Sequence, residues 1–255
     1  MTIVEKAALA EKAARASGEM LEHHGSFRVR RKSENDFVTE MDFKSEALIR
    51  EILLSACPDD QFFGEETGGA TAAKGRWIVD PIDGTVNFMR GHRTYTISIA
   101  YEHEGELVAG CVYCPGTDEL FLASRGFGAT KNGEPIHVSD IDTLKDAIVD
   151  FGPGHRNTDR MRRTLAVFPQ VCASVSDVRR TASCAYDLCC VASGRSDAFM
   201  ELGLNLYDYA AGYVILTEAG GRLTGWDEGD DGLSTGNLLA SNGIVHEALR
   251  KILIG

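Results

Sequence analysis

The sequence predicts a mixed α/β protein built from two halves that share one core. The chain has 255 residues, of which 44% are hydrophobic and 25% charged, as in an ordinary globular protein. Apolar residues recur at helical spacing near both ends, whereas apolar and polar residues alternate in the middle. No repeat or low-complexity linker separates these regions, so we expect helices and strands to pack against one another.

The N-terminal half is predicted to start with two helices and to continue as strands. Apolar residues three or four positions apart over 3–24 predict a helix that ends at Gly25. A second helix is predicted between the polar segment 32–36 and Pro58. Strands are then predicted at 62–63, 76–79, 95–101 and 107–113.

The C-terminal half is predicted to alternate helices with strands. Asn132-Gly133 first predicts a tight hairpin, the last feature before the pattern changes. Helices are predicted at about 157–168, 184–193, 206–219 and 244–254. We therefore divide the chain into an α+β half, residues 1–143, and an α/β half, residues 144–255.

Charge and cysteine content narrow the classes of function. Lys and Arg number 26 against 38 Asp and Glu, a net charge of −12, which repels nucleic-acid phosphates and anionic lipids. We therefore expect no general nucleic-acid binding. No apolar run approaches the ~20 residues of a membrane span, so we expect no membrane association. Seven cysteines without a disulfide-framework spacing, and an N-terminus unlike a signal peptide, indicate a cytoplasmic protein.

Two carboxylates lie three residues apart directly after an apolar strand. Asp80 and Asp83 flank Pro81-Ile82, and the turn that proline imposes can aim both side chains and the Ile82 carbonyl at one point. Hard divalent cations prefer such oxygen ligands. If Gly84-Thr85 opens a helix, its N–H groups form an anion site beside the metal. The alternative is a polar turn with a threonine cap.

Two further acidic segments are candidates for the same site. Glu65 and Glu66 follow another apolar strand, so they are either a solvated loop or the source of a third metal carboxylate and a general base. Asp208 is predicted in the first turn of a helix capped by Asn205, where it either complements the helix dipole or serves a buried site. Small residues at 210–212 indicate close packing of this helix, which favours the second interpretation.

Together these segments resemble the inositol monophosphatase family, within the lithium-sensitive, magnesium-dependent sugar phosphatases. The matching motifs are GEE at 64–66, WIVDPIDGTVNF at 77–88 and YDYAAG at 207–212. The resemblance covers nearly the whole chain. It implies a layered αβαβα sandwich of the sugar-phosphatase type, a homodimer, and a site between the two halves.

The resemblance also implies two to three Mg²⁺ ions. Glu65, Asp80 and the Ile82 carbonyl would bind the first ion, and Asp80, Asp83 and Asp208 the second. A weaker third ion would lie near Glu65. The family therefore gives a role in metal binding to the same acidic residues that the strand-end motifs pick out.

Catalytic and phosphate-binding roles follow from the same resemblance. The segment DFVTEMD at 36–42 matches a family motif, and its Asp42 would pair with Thr85. This pair would orient the attacking water and help to deprotonate it, with Glu65 as a further catalytic residue. The N–H groups of Gly84 and Thr85 would bind the phosphate.

The predicted substrate pocket adds residues from the C-terminal half. Glu201 matches the family acid that accepts hydrogen bonds from inositol hydroxyls, and Arg179 is expected on the same side. Cys184 replaces a residue that is commonly alanine in the family. The predicted substrate contacts are Asp83, Gly84, Thr85, Ser183, Cys184, Ala185, Glu201 and Asp208.

The leading hypothesis is a Mg²⁺-dependent phosphomonoesterase for inositol monophosphate or a similar small phosphorylated polyol. Metal ions can neutralise the phosphate, activate water and stabilise the leaving oxygen without a nucleophilic side chain. Fructose 1,6-bisphosphate, histidinol phosphate and adenosine 3′,5′-bisphosphate stay open as substrates. A hypothesis of another class is a regulatory binding partner of cellular machinery with incidental phosphatase activity.

Overall fold

The chain forms α-helices and β-strands in a computed structural model that describes residues 1–33, 36–69, 74–154 and 157–254. The α-helices are α1 (Ile3–Glu22), α2 (Glu40–Ala56), α3 (Thr85–Met89), α4 (Thr158–Ser174), α5 (Cys184–Ala192), α6 (Leu206–Glu218) and α7 (His246–Ile254). The strands of the first half are β1 (Val29–Ser33), β2 (Asp36–Thr39), β3 (Gln61–Gly64), β4 (Gly68–Gly69), β5 (Gly75–Asp83), β6 (Thr96–His103), β7 (Glu106–Cys114), β8 (Glu119–Ser124), β9 (Ala129–Lys131) and β10 (Glu134–Pro135). Those of the second half are β11 (Ile148–Phe151), β12 (Asp177–Arg179), β13 (Ala198–Glu201), β14 (Arg222–Thr224) and β15 (Leu238–Ser241).

The larger sheet occupies the N-terminal half. Its eight strands run in the order β10-β9-β8-β7-β6-β5-β3-β4, and every pair is antiparallel except β3 and β5. Asn132-Gly133 forms the predicted hairpin between β9 and β10. Strand β5 is buried over its whole length, so the acidic motif at its end starts inside the protein rather than on its surface.

The smaller sheet occupies the C-terminal half. Its five strands run in the order β12-β11-β13-β15-β14. Strand β11 pairs in parallel with β12 and β13, and β15 pairs antiparallel with β13 and β14. Helices α4 and α5 connect the parallel strands β11, β12 and β13, as parallel pairing requires, whereas β14 and β15 follow each other without a helix and pair antiparallel.

The elements stack as five layers. Helices α1 and α2 cover the outer face of the larger sheet, α5 and α6 lie between the two sheets, and α4 and α7 cover the outer face of the smaller sheet. Residues of β5 to β8 pack directly on α5 and α6 in the central layer. This arrangement confirms the predicted layered α/β fold and the shared core. The division at residue 143 stays a prediction.

The segment before α2 and the end of α4 differ from the expectation, and strands β4 and β8 were not predicted. The polar segment before α2 pairs as the β1–β2 hairpin, although residues 34 and 35 lie outside the described part of the chain. Helix α4 continues to Ser174 through Pro169, beyond the predicted end at 168. Pro169 is on the exposed side, where the carbonyl group that loses its helical N–H partner can bond to water.

The structure also bears on cysteines and on membrane association. Cys111 and Cys114 lie buried on β7 as free thiols. In the described ranges, each helix is too short or too polar to span a bilayer.

Candidate metal and phosphate site

The end of β5 aims its two carboxylates through a local irregularity in the sheet. Asp80 pairs with Ser98 and Asp83 pairs with Thr96, so three steps on β5 oppose two on β6. The extra residue lies in the Pro81-Ile82 stretch, where proline has no N–H to donate. A bulge of this kind bends the strand and re-aims side chains, which brings both aspartates toward the same side.

Helix α6 adds a third carboxylate to this pair. Asp208 lies in its first turn, where the backbone N–H of Asn205 donates to Asp208 Oδ2 at 2.6 Å. Oxygens of Asp80, Asp83 and Asp208 all lie within 4.8 Å of one another. The three residues are only 2%, 9% and 8% exposed, so water screens their negative charges poorly.

The surroundings disfavour the ionised forms of these carboxyl groups. Burial, followed by repulsion from Glu65, Asp83 and Asp208, raises the pKa of Asp80 well above its usual range. Burial raises the pKa of Asp83 to about 6, although Ser183 Oγ and the Ala185 N–H donate to its Oδ2 at 2.7 and 2.8 Å. A bound cation would offset this repulsion.

Glu65 and Glu66 lie on the turn after β3 and contact a lysine. Lys32 Nζ is 2.9 Å from Glu65 Oε1 and 2.6 Å from Glu66 Oε1. Burial raises the pKa of Glu66 to about 7, and repulsion from Glu65 adds to this shift. Glu65 lines the cleft, and its charge adds to the raised pKa of Asp80, so it lies near the three buried aspartates.

Thr85 and Asp42 lie together, as predicted. Thr85 Oγ1 is 3.3 Å from Asp42 Oδ1 and 3.1 Å from the Ile82 carbonyl oxygen. Asp42 Oδ2 accepts from the N–H and hydroxyl of Thr39 at 2.7 and 2.6 Å, which closes a capping box at the start of α2. Burial nonetheless raises the pKa of Asp42 to about 6. The Thr85 hydroxyl therefore lies beside a carboxyl group whose pKa is closer to neutrality than that of an exposed aspartate.

The predicted helix after the acidic motif exists but is short. Helix α3 has five residues and begins at Thr85, with Gly84 as its N-cap. Gly84 has a φ of +88°, and a Cβ on it would lie 3.2 Å from the Ala182 carbonyl oxygen. Glycine is therefore needed here for both conformation and space.

A cleft of about 750 Å³ lies between the two halves, and Glu65 and Glu66 are among the residues that line it. Of the predicted substrate contacts, Asp83, Gly84, Thr85, Cys184, Glu201 and Asp208 line it. Ser183 and Ala185 lie buried behind Asp83 and donate to it, so in this structure they contact the carboxylate and not the cleft. Arg180 rather than Arg179 lines the cleft, because Arg179 pairs with Asp177 on β12.

Sequence reasoning missed the glutamate that shapes the Glu65-Glu66 turn. The buried Glu46 of α2 accepts hydrogen bonds from the N–H groups of Glu66 and Thr67, at 2.8 and 3.0 Å. Glu46 lies four residues after Asp42 on the inward face of α2, and an acidic residue at a core-facing helical position was the available signal.

Comparison with known proteins places this site in context. The sequence profile of the inositol monophosphatase family matches residues 4–254. An inositol-1-monophosphatase from Mesorhizobium japonicum is 40% identical over 222 residues, covering 86% of this chain and 84% of that protein. A Nus factor SuhB from Vibrio cholerae is 36% identical over 241 residues, covering 92% of this chain and 90% of that protein. The crystal structure of the extragenic suppressor protein suhB from Bartonella henselae gives a TM-score of 0.92 at 36% identity, covering 96% of this chain and 97% of that one.

Proposed function

The chain belongs to the inositol monophosphatase family, and from this premise we propose that it hydrolyses inositol monophosphate or a similar small phosphorylated polyol with the help of Mg²⁺. The observation that carries the proposal is the buried Asp80–Asp83–Asp208 cluster, of which Asp83 and Asp208 line the cleft. Buried like charges destabilise a fold unless a cation compensates them. A metal-dependent reaction would explain why three carboxylates are buried together.

The residues present fit Mg²⁺. Their ligand atoms are carboxylate and carbonyl oxygens, which this hard cation prefers. We assign Glu65, Asp80 and the Ile82 carbonyl to one ion, Asp80, Asp83 and Asp208 to a second, and Glu65 to a weaker third. Bound Mg²⁺ would supply charge neutralisation, a lower water pKa and stabilisation of the leaving oxygen.

The remaining residues bind and orient the reactants. Thr85 and Asp42 would hold the attacking water and take its proton, which the hydroxyl–carboxylate contact of 3.3 Å supports. The N–H groups of Gly84 and Thr85 would donate to the phosphate. Glu201 and Cys184, on the cleft wall, would contact the polyol, and Glu201 would accept hydrogen bonds from its hydroxyl groups.

A substrate panel tests this proposal. Phosphate release would be measured with and without Mg²⁺ from inositol 1-phosphate, fructose 1,6-bisphosphate, histidinol phosphate and adenosine 3′,5′-bisphosphate. We expect a preference of about ten-fold or more for inositol 1-phosphate, equal to ~1.4 kcal/mol in the transition state. Preference for another substrate would reassign the polyol wall but keep the metal assignment. The absence of any Mg²⁺-dependent hydrolysis would refute the proposal.

The proposed oligomeric state, cellular location and lithium inhibition rest on family resemblance. We propose a homodimer in the cytoplasm, with activity that lithium inhibits. Light scattering of the purified chain would measure its mass in solution. A monomer at micromolar concentration would contradict the dimer without affecting the metal site.

A second candidate function is regulatory binding to cellular machinery. Its support is the 36% identity to a protein named Nus factor SuhB. Asp83→Asn separates the two candidates because it removes a metal carboxylate while keeping the shape of the side chain. The variant would be expressed in cells that lack this chain and grow poorly without it. If the cellular role is enzymatic, Asp83→Asn should fail to restore growth; if the role is binding, it should restore growth. The exposed Asp59→Asn is the control and should restore growth in either case.

A further inference from the structure

Asn87 joins the acidic motif of the N-terminal half to a segment of the C-terminal half. It lies on α3, two residues after Thr85, and is only 9% exposed. Its Nδ2 donates to the Thr94 carbonyl at 2.6 Å and to the Thr181 carbonyl at 2.7 Å. One carboxamide therefore holds together two loops that are 87 residues apart in sequence.

The segment that Asn87 holds, residues 181–185, is conformationally demanding. Ala182 has a φ of +66°, a left-handed conformation that is costly for a residue with a Cβ and needs support from its surroundings. Thr181 Oγ1 donates to Asp187 at 2.6 Å, which fixes the segment to α5. Asn87 fixes the other side of the same turn, against the N-terminal half.

This segment places two donors on a proposed metal carboxylate. Ser183 Oγ and the Ala185 N–H both donate to Asp83 Oδ2, at 2.7 and 2.8 Å. Two donors on Oδ2 fix the plane of the carboxylate, and they thereby also fix the direction of its Oδ1 atom. The orientation of Asp83 thus depends on a segment in the other half of the molecule, and the position of that segment depends on Asn87.

We propose that Asn87 is a positioning residue for metal binding, which acts through the 181–185 segment on Asp83. The inference rests on the proposed Mg²⁺-dependent function. Asn87 lines the cleft beside Thr85, but its amide hydrogens are directed to the Thr94 and Thr181 carbonyls. Its role is therefore to hold the two halves in register at the metal site.

Calorimetric titration with Mg²⁺ alone tests this inference without relying on turnover. Asn87→Ala should weaken Mg²⁺ binding by roughly ten-fold, because it should misplace Ser183 and Ala185, and a hydrogen bond to a charged group such as Asp83 contributes about that much. The control is Asn242→Ala, because buried Asn242 also donates to a carbonyl, that of Ile141 at 2.8 Å, away from the cleft. This control should lower the melting temperature and leave Mg²⁺ affinity within about two-fold of the wild type.

A double-variant cycle tests the proposed route through Ser183. Ser183→Ala should by itself weaken Mg²⁺ binding, and adding Asn87→Ala should weaken it less than the product of the two single effects. If Asn87→Ala does not fold, Asn87→Ser takes its place in the same cycle, because it keeps a smaller polar side chain.

Each outcome is decisive. Multiplicative effects, an effect of Asn242→Ala equal to that of Asn87→Ala, or unchanged affinity in Asn87→Ala would overturn the inference. If the wild-type chain itself bound no Mg²⁺, the proposed function would fail instead, so the two failures can be distinguished.

Discussion

Single residues set the electrostatics of the three buried aspartates. Asp80 illustrates this, because burial and three neighbouring carboxylates raise its pKa while one backbone N–H, that of Ile82 at 3.0 Å, donates to its Oδ1. A neutral side chain of the same shape would keep that hydrogen bond and remove the repulsion. With the proposed metal assignment, Asp80 should therefore stabilise the metal-bound protein and destabilise the metal-free one.

Asp80→Asn should separate these two effects. With EDTA at pH 8 we expect the free energy of unfolding to rise by about 1–3 kcal/mol, because one buried negative charge is removed. With Mg²⁺ added, the variant should lose the stabilisation that the wild type gains. Urea denaturation under both conditions measures this, with Asp59→Asn as an exposed control. A metal-free variant less stable than the wild type would contradict the repulsion argument.

At this scale, the sequence revealed residues in acidic motifs at the ends of strands or the start of a helix, and it missed Glu46 and Asn87, which lie outside such motifs' acidic positions. Asp80 and Asp83 are three residues apart after a buried strand, so the polypeptide itself brings them close. Glu46 contacts a turn 20 residues away, and Asn87 contacts a carbonyl 94 residues away. The core-facing position of Glu46 on α2 signals its burial, but the partners of both side chains depend on packing that no local pattern encodes. Family motifs alone gave Asp42 and Glu201 their predicted roles.

Among the elements, α2 and the turn after β3 act as a unit. The carboxylate of Glu46 lies against Gly64, where a Cβ would come within 2.4 Å of its Cδ and Oε2 atoms. Glu46 cannot move aside freely, because it accepts hydrogen bonds from Glu66 and Thr67. The absence of a side chain at Gly64 thus lets α2 hold the turn that carries Glu65.

Gly64→Ala should disturb this unit in a measurable way. The added methyl group must displace Glu46, so we expect a loss of about 1–3 kcal/mol in unfolding free energy and weaker Mg²⁺ binding. Gly25→Ala is the matched control, because no atom lies within 4 Å of the position of its Cβ. Thermal melting and Mg²⁺ titration of both variants would check this. Equal behaviour of the two alanine variants would show that Glu46 does not constrain the turn.

The elements were predictable where a single periodicity runs without interruption. Helix α1 ends within two residues of its predicted end, and the Asn132-Gly133 hairpin forms as predicted. The predicted end of α4 lies one residue before Pro169, whereas the helix continues, since an exposed proline inside a helix loses one hydrogen bond without ending it. The β1–β2 hairpin was missed because its arginine-rich strand lacks an apolar face.

At the scale of the whole molecule, buried acids couple stability to pH. Burial raises the pKa values of Asp42, Asp83 and Asp150 to about 6 and that of Glu66 to about 7. In the unfolded chain the same groups ionise near pH 4. Between about pH 4 and 7 the folded protein therefore binds more protons than the unfolded chain, so rising pH favours unfolding. Burial lowers the pKa of His246 to about 4, so this one group favours folding as the pH rises, against the four acids.

Mg²⁺ should reverse this dependence, because it binds the ionised carboxylates and displaces their protons. Without metal, we expect the melting temperature to fall from pH 5 to pH 8. With about 10 mM MgCl₂ the gain in melting temperature should be small at pH 5 and should grow toward pH 8, since stabilisation follows the ratio of free metal to its dissociation constant. NaCl at the same ionic strength controls for screening of the net charge of −12. An equal gain at both pH values, or an equal gain with NaCl, would mean that the carboxylates of the cleft are not where Mg²⁺ acts.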